Sequence, residues 1–562
     1  MWDKEVDVLC VGSGGGGFAT AIRAADLGAS VLLVEKDKVV GGVTALSSGQ
    51  IWVGANHLQA SAGLRNSDGS SEQDSEADTA QYLSHLSQGL ADPAMQALFI
   101  QGSIEVIRYL SDDVGIPMRV IPDLPDYYYP AVQGSKPQGR FLETEPFPAK
   151  TLGDWAARCF MSPYSPFHAY TMSSDWTAFQ TGKDSALMQH ITRRMANDER
   201  CVGASIACWL LQAALARKVE VWTSSPAIKL LRDEQGDGVA GAVIQTPQGE
   251  LRVRARHGVM LATSGYDWNP AFVKAFEALL VAGSMCPPTV EGDHLVMAAD
   301  FGALPMPARA PAQTPIFIGY HVPHERIYDK PTHRQLLPGR PHSIVVNQAG
   351  QRFANDSFYP DVATKVSRFD GQEQGMPNWP AWLVVDDDFR LKYGLTPSQP
   401  GQPLPEGVAS SADTLEALAA LTGIDAAGLA ATVARFNGFC SSGVDPDFAR
   451  GSVPWGVLMN GDSRVKPNPT MAPLARGPFH AIPLARVVMG VPTSGLPIDA
   501  NAQVLNARGQ PVRGLYAAGN SATWSDIGGG YNSGISNTRG LLYGYLAAQA
   551  MMGKTAGGTR HL

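Results

Sequence analysis

The stretch that most constrains this chain is Asp7-Val8-Leu9-Cys10-Val11-Gly12-Ser13-Gly14-Gly15-Gly16-Gly17, which leads on to Val31-Leu32-Leu33-Val34-Glu35-Lys36. Two apolar, β-branched runs flank a glycine loop and a small-residue helix from Ala19 to Leu27, which spells a βαβ unit of dinucleotide-binding length. Gly12 permits a tight turn, Gly14 lets the backbone approach a pyrophosphate, and Gly17 lets helix and strand pack closely. The pyrophosphate is expected on the exposed N–H groups of the helix N-terminus, where the helix dipole favours an anion. Glu35 closes the second strand. An acid there hydrogen-bonds ribose hydroxyls and repels a 2′-phosphate.

A chain of 562 residues exceeds one core and implies two or more domains. With 44% hydrophobic and 17% charged residues it is globular and fairly apolar. A net charge of −8 without a dense Lys/Arg block argues against nucleic acid as a partner. The six cysteines, Cys10, Cys159, Cys201, Cys208, Cys286 and Cys440, form neither a CxxC pair nor a metal-ligand spacing, and no metal is expected. The first core strand starts within a few residues of Met1, which leaves no room for a signal peptide, and the longest apolar run, Val202 to Ala216, falls short of a bilayer span. A cytoplasmic protein with reduced thiols is expected.

Along the chain, Gly41-Gly42-Val43-Thr44 and Leu46-Ser47-Ser48-Gly49-Gln50-Ile51-Trp52 suit a loop crossing a large cofactor, or a plain turn. Ser61 to Asp78 reads as a solvated loop, and Thr79 to Val114 as two helices. Pro125-Asp126-Tyr127-Tyr128-Tyr129-Pro130 is a proline-bounded aromatic loop. Between Leu152 and Leu187 an irregular segment carries Trp155, Phe160, Tyr164, Phe167, Tyr170, Trp176 and Phe179; it caps an apolar pocket, touches a membrane surface, or packs on its own domain. A helix over Val202–Ala216 and strands near Val219–Trp222, Ala227–Leu231, Val239–Gln245, Leu251–Val253 and His257–Thr263 follow. From about Gly292 to Pro473 prolines multiply and strands become irregular, as in an inserted domain. The chain then returns through the strand Gly514–Asn520 to a small-residue helix, Asn537 to Met552.

Four marks in this order, VGSGGGG…EK…GG.T…SG..W, LATSGYDWN, VVNQAGQRFANDS and GLYAAGN, resemble the fumarate reductase/succinate dehydrogenase flavoprotein superfamily. Within it, Pro125-Asp126-Tyr127-Tyr128 and the Tyr531 segment look most like 3-ketosteroid dehydrogenases and related cyclic-ketone dehydrogenases. The resemblance implies an α/β fold: a Rossmann-like FAD-binding domain of residues 1–291 and 475–562 with an inserted α+β catalytic domain, 292–474. It implies non-covalent FAD contacting Gly12, Ser13, Gly14, Gly15, Gly16, Gly17, Glu35, Lys36, Gly42, Thr44, Ser47, Ser48, Gly49, Ala227, Gly519, Asn520, Ile535 and Ser536. The N-terminus of the last helix, near Ser536, would stabilise negative charge on reduced flavin through its dipole.

Fumarate reductases of this superfamily carry His and Arg in the segment matching Gly530 to Ser536, because dicarboxylates need cationic clamps; this chain has Tyr531 and Ser533 there. The resemblance therefore implies a neutral, hydroxyl-lined pocket and a small apolar ketone as substrate. Desaturation beside a carbonyl needs a base for the α-proton, donors for the developing enolate oxygen, and flavin N5 to take the β-hydride. Tyr531 suits the carbonyl donor, aided by a backbone N–H near Ile535; Tyr127 suits a relay or base; Ser533 and Tyr359 are further candidates. Phe353 stands where Δ1-dehydrogenases are expected to carry a catalytic tyrosine, and the Tyr-x-Ser-Gly-x-Ser pattern at 531–536 looks more like the Δ4-(5α)-dehydrogenases, whereas Tyr127 favours the Δ1 branch. Tyr359 and Tyr320 fall in proline-rich loops, where a packed, structural tyrosine is the common case. His321, His324, His342 and His480 show no ligand spacing. Electrons would pass on to a quinone-like or other acceptor, since no nicotinamide site is apparent. The rival readings are an enoate or fumarate-type reductase and a flavin-fold binding protein without turnover.

Overall fold

A computed structural model describes residues 1–66, 69–162, 168–279, 282–308 and 317–554. Tyr164 and Phe167 of the aromatic segment lie outside the described residues.

Strand β1 (Lys4–Val11), helix α1 (Gly15–Asp26) and strand β2 (Val31–Val34) form the expected βαβ unit, with Val8 to Val11 parallel to Val31 to Val34. β1 sits centrally in an eight-stranded mixed sheet. Its other neighbour is the long strand Gly249–Leu261, which in turn pairs in parallel with Pro511–Ala517 near the C-terminus. Strands buried on both faces explain the continuous apolar runs that flank the glycine loop.

The loop geometry follows from its glycines. Gly12 has φ +100°, and a Cβ there would lie 2.3 Å from the Ala262 carbonyl oxygen. A Cβ on Gly17 would lie 1.9 Å from the Gly12 oxygen, so helix and turn meet backbone to backbone. Gly17→Ala is therefore expected to push the turn off the helix start at a cost of about 1–3 kcal/mol, roughly 10- to 100-fold weaker cofactor retention. Flavin-to-protein ratio after desalting reads this directly, and full retention would contradict it.

The C-terminal helix Ile535–Met551 lies across α1, where Thr20 Oγ1 donates to the Gly544 carbonyl at 3.0 Å. Both chain ends thus build one face of the cofactor domain, and the expected class, a Rossmann-like α/β domain with an inserted α+β unit, is what the chain forms. One four-stranded sheet joins Gly283–Ser284, Ala485–Val488, Phe317–Ile327 and Lys330–Gln335, so strands from outside the expected bounds of 292–474 complete the sheets of the inserted region. A second, antiparallel sheet joins Ser343–Asn347, Ala381–Val385, Phe479–Pro483 and Ser410–Ala412. Helices such as Leu415–Thr422 and Ala426–Cys440 cover it.

Two local expectations change. The 152–187 segment is not an irregular loop throughout: it begins inside a 3₁₀ stretch, Ala149–Arg158, and contains the helix Ser173–Gln180, with Phe160 buried against Ala45, Leu46 and Cys286. Phe179 is exposed, and no helix among the described residues is long and apolar enough to cross a membrane. Tyr320 and Tyr359 are not in loops either. Tyr320 belongs to the strand Phe317–Ile327 and bonds Thr396 at 2.7 Å, and Tyr359 begins the helix Tyr359–Val366. All six cysteines are free and buried.

Candidate active site

One cavity runs from the glycine loop to the inserted domain. At its first end it is lined by Gly12 to Gly16, Glu35, Lys36, Gly42, Thr44, Ala227 and Asp293. The Gly14 backbone faces open space, a Cβ there meeting nothing nearer than Thr44 Oγ1 at 3.6 Å, and Thr44 Oγ1 accepts from the Gly15 N–H at 3.0 Å. Glu35 is buried; its carboxylate accepts from Ser13 N–H at 2.9 Å, Ser13 O–H at 2.5 Å and Asp37 N–H at 2.8 Å. Burial pushes its pKa up, against those hydrogen bonds. Lys36 reaches the cavity wall, with its ammonium held by Glu291 at 2.7 Å and Asp293 at 2.9 Å.

The middle of the cavity is lined by Ser47, Ser48, Gln50, Ser264, Met489, Gly519, Asn520, Ser536 and Asn537. Ser264 Oγ, Ser536 Oγ and Asn520 Oδ1 are buried there without a protein partner. Buried polar atoms without partners are costly in a folded protein, and a polar cofactor ring laid along this wall satisfies them. With the open glycine cradle and the buried acid, they fit a flavin dinucleotide. Three expected contact residues do not line the cavity. Gly17 and Gly49 instead allow close backbone approach, and the Ile535 N–H donates to the Asn532 carbonyl at 3.3 Å. That N–H is thus engaged within the protein rather than offered as a second carbonyl donor.

At the far end five chain segments converge. Tyr127, Phe317, Tyr359, Trp455, Tyr531 and Ser533 all line the cavity. The hydroxyls of Tyr359 and Tyr127 lie 3.3 Å apart, and the Tyr127 ring sits 6.1 Å from Tyr531 and 4.3 Å from Trp455. Phe317 stacks on Tyr359 at 5.2 Å. Burial raises the Tyr127 and Tyr359 phenols well above the usual tyrosine range; for Tyr127, hydrogen bonds with Tyr359 and Ser533 work the other way. Tyr531 is only part-buried, as suits a donor that must meet a ligand.

The scaffold behind these groups is a network of buried hydrogen bonds and ion pairs. Asp126, next to Tyr127, accepts from Trp52 Nε1 at 2.7 Å and Arg140 Nη1 at 2.8 Å, and Arg140 also binds Asp74. Arg539, buried in the C-terminal helix, donates to Asp526, Thr523 and Gly519 and stacks on Trp524 at 4.5 Å; Trp524 packs on Tyr531 at 6.2 Å. Gly534, at φ +87°, turns the chain into that helix where a Cβ would lie 2.8 Å from Trp52 N.

Phe353 is not part of this constellation. It packs against the core of Ile318, Val345 and Val362 and does not line the cavity. Sequence reasoning missed Trp455, Phe317 and His168, all on the cavity wall, and Arg334, a guanidinium in an otherwise mostly neutral lining that is paired with Glu325 at 2.7 Å. His342, Asp386 and Asp388 bring ligating atoms within 4.8 Å of one another, but they are committed: His342 to Pro473 O and Lys392, Asp386 to the Phe389 and Ala475 N–H groups, Asp388 to Arg476.

The FAD binding domain family matches residues 7–538. Among curated relatives, a 4-oxocyclohexanecarboxylate 2-dehydrogenase of Sinomonas cyclohexanicum is 33% identical over 98% of this chain and 93% of its own length. A 3-oxosteroid 1-dehydrogenase of Mycolicibacterium smegmatis is 30% identical over 98% and 97%. A crystal structure of 3-ketosteroid Δ1-dehydrogenase from Sterolibacterium denitrificans, in complex with 1,4-androstadiene-3,17-dione, superposes with a TM-score of 0.87 at 28% identity, covering 98% of this chain and 100% of that one.

Proposed function

The chain belongs to the FAD binding domain family of flavin-dependent oxidoreductases, and on that premise we propose that it desaturates an alicyclic ketone beside its carbonyl. The observation that carries the reading is the meeting of Tyr127, Tyr359, Tyr531 and Ser533 at one end of the cofactor cavity. Gly12 to Gly16, Thr44 and Glu35 hold the dinucleotide end of non-covalently bound FAD, and Ser264, Asn520 and Ser536 face its ring. The flavin, when bound, supplies the acceptor for a hydride.

Tyr531 donates to the ketone oxygen, which acidifies the α-carbon and holds the enolate charge, and Ser533 turns its hydroxyl from Tyr127 to the same oxygen when the ketone is bound. Tyr359 passes its own proton toward the Tyr127 hydroxyl, to which it donates at 3.3 Å, and as the phenolate takes the α-proton. The ketone loses a proton and a hydride, two electrons in all, and gains a C=C bond. Trp455 and Phe317 wall off water and present an apolar face to the ring. The electrons leave to a quinone-like acceptor.

Both curated relatives are named for desaturation at the ring edge next to the ketone. Together with the Tyr127–Tyr359 pair they support the CH2–CH2 edge, Δ1 in a steroid, over the Δ4(5) edge suggested by the Tyr-x-Ser pattern. Product analysis tests this with a soluble quinone as oxidant. A 5α-3-ketosteroid should give the 1-ene, or 4-oxocyclohexanecarboxylate its 2-ene. A 4-ene product overturns the regiochemistry. Turnover only as reduction of an α,β-unsaturated acid would favour the reductase reading.

A further inference from the structure

Between Tyr531 and Ser533 stands Asn532, which is fully buried and faces away from the cavity. Its side-chain oxygen accepts two hydrogen bonds, from the backbone N–H of Tyr127 and from the Tyr82 hydroxyl, each at 3.0 Å. A backbone N–H can only donate, so the carboxamide oxygen must point toward Tyr127. Its own backbone carbonyl accepts from the Ile535 N–H at the start of the C-terminal helix. One side chain therefore ties together three elements: the helix Glu76–Ser87 that carries Tyr82, the loop that carries Tyr127, and the turn that carries Tyr531 and Ser533. Tyr82 is itself immobilised, with its ring 5.9 Å from Trp52 and the Arg140 guanidinium 5.5 Å from its centroid.

We propose that Asn532 is a positioning residue for the reaction, holding the proton-transfer tyrosines at a fixed separation from the carbonyl donors. Tyr127 sits on a proline-bounded loop, while Tyr531 and Ser533 follow a glycine run; neither segment has regular structure to set the spacing. Both lone pairs of the Asn532 oxygen are spent across that gap. An apolar residue of similar size leaves the Tyr127 N–H and the Tyr82 O–H buried without an acceptor, and the loop relaxes to find one. A misplacement of about 1 Å between reacting groups costs roughly 100-fold in rate.

The inference rests on the ketone-desaturase reading, and the test separates the two. In rapid-mixing flavin reduction without oxygen, Asn532→Leu should keep its FAD and bind ketone within about threefold of the parent, yet be reduced roughly 10- to 100-fold more slowly. Hydrogen exchange at the Tyr127 amide should accelerate by about tenfold or more, a readout independent of turnover. Asn532→Asp keeps the acceptor and should restore amide protection and most of the lost rate. If Asn532→Leu loses its flavin, Tyr82→Phe removes one of the two donors and should slow reduction by about fivefold with unchanged ketone affinity. Reduction of either variant at the parental rate overturns the positioning role, as does an Asn532→Asp protein that regains protection but no rate. A parent protein whose flavin no ketone reduces would instead overturn the desaturase reading.

Discussion

Tyr359→Phe is expected to keep its FAD and its fold, and to be reduced by a saturated cyclic ketone about 10³-fold more slowly than the parent, the scale of losing a general base. The ring of Tyr359 stacks on Phe317 and packs near Trp455, contacts that phenylalanine keeps. Only the hydroxyl is lost, and with it the 3.3 Å contact to Tyr127. The pH dependence sharpens the test. Burial raises both phenols well above their usual range, so the phenolate is scarce at neutral pH and its population grows about tenfold per pH unit below that raised pKa. The parental reduction rate should therefore climb from pH 6 to pH 9 without levelling, and Tyr359→Phe should lose that slope. A variant within about tenfold of the parent, with the slope intact, would assign the base elsewhere.

Tyr531→Phe should lower the reduction rate by about 100-fold, the cost of removing one donor from a developing oxyanion. Its effect differs in kind from that of Tyr359. Tyr531 is part-buried at the cavity end and its ring is fixed by Phe317 and Trp524, so the variant should bind ketone with modestly reduced affinity and retain the parental pH slope. Ser533 remains as a second hydroxyl, which is why the loss should fall short of that at Tyr359. A rate within about fivefold of the parent would remove Tyr531 from the carbonyl site.

The cofactor end was legible in the sequence because every requirement there is local. Strand, glycine turn, helix, strand and acid follow one another within a few dozen residues, and their spacing alone fixes the geometry. Tyr531 was legible for a similar reason, presented by a glycine run just before a helix. The ketone end was only partly legible, because its groups come from positions 127, 317, 359, 455 and 531 and meet only through tertiary packing. Proline misled twice. The prolines between about Gly292 and Pro473 read as marks of irregular structure, yet Pro360 and Pro454 each sit in the first turn of a short helix, Tyr359–Val366 and Pro454–Asn460, where a missing N–H costs nothing. Tyr359 was therefore placed in a loop and Trp455 passed over. Phe353 was overvalued, since pattern position alone does not show that its side chain points into a different core. Arg334 was invisible for a further reason: its strand alternates without a motif, and only the fold brings it to the cavity beside Glu325.

A saturated cyclic ketone is expected to deliver two electrons to the flavin of this protein. The most direct measurement mixes the yellow protein, free of oxygen, with 4-oxocyclohexanecarboxylate and with a 3-ketosteroid, and follows the visible flavin absorbance while the ketone is recovered. Bleaching with at least one of them, and recovery of one conjugated enone per flavin reduced, is the predicted result. A flavin that stays yellow across both ketones, or that bleaches without any enone, would contradict the account.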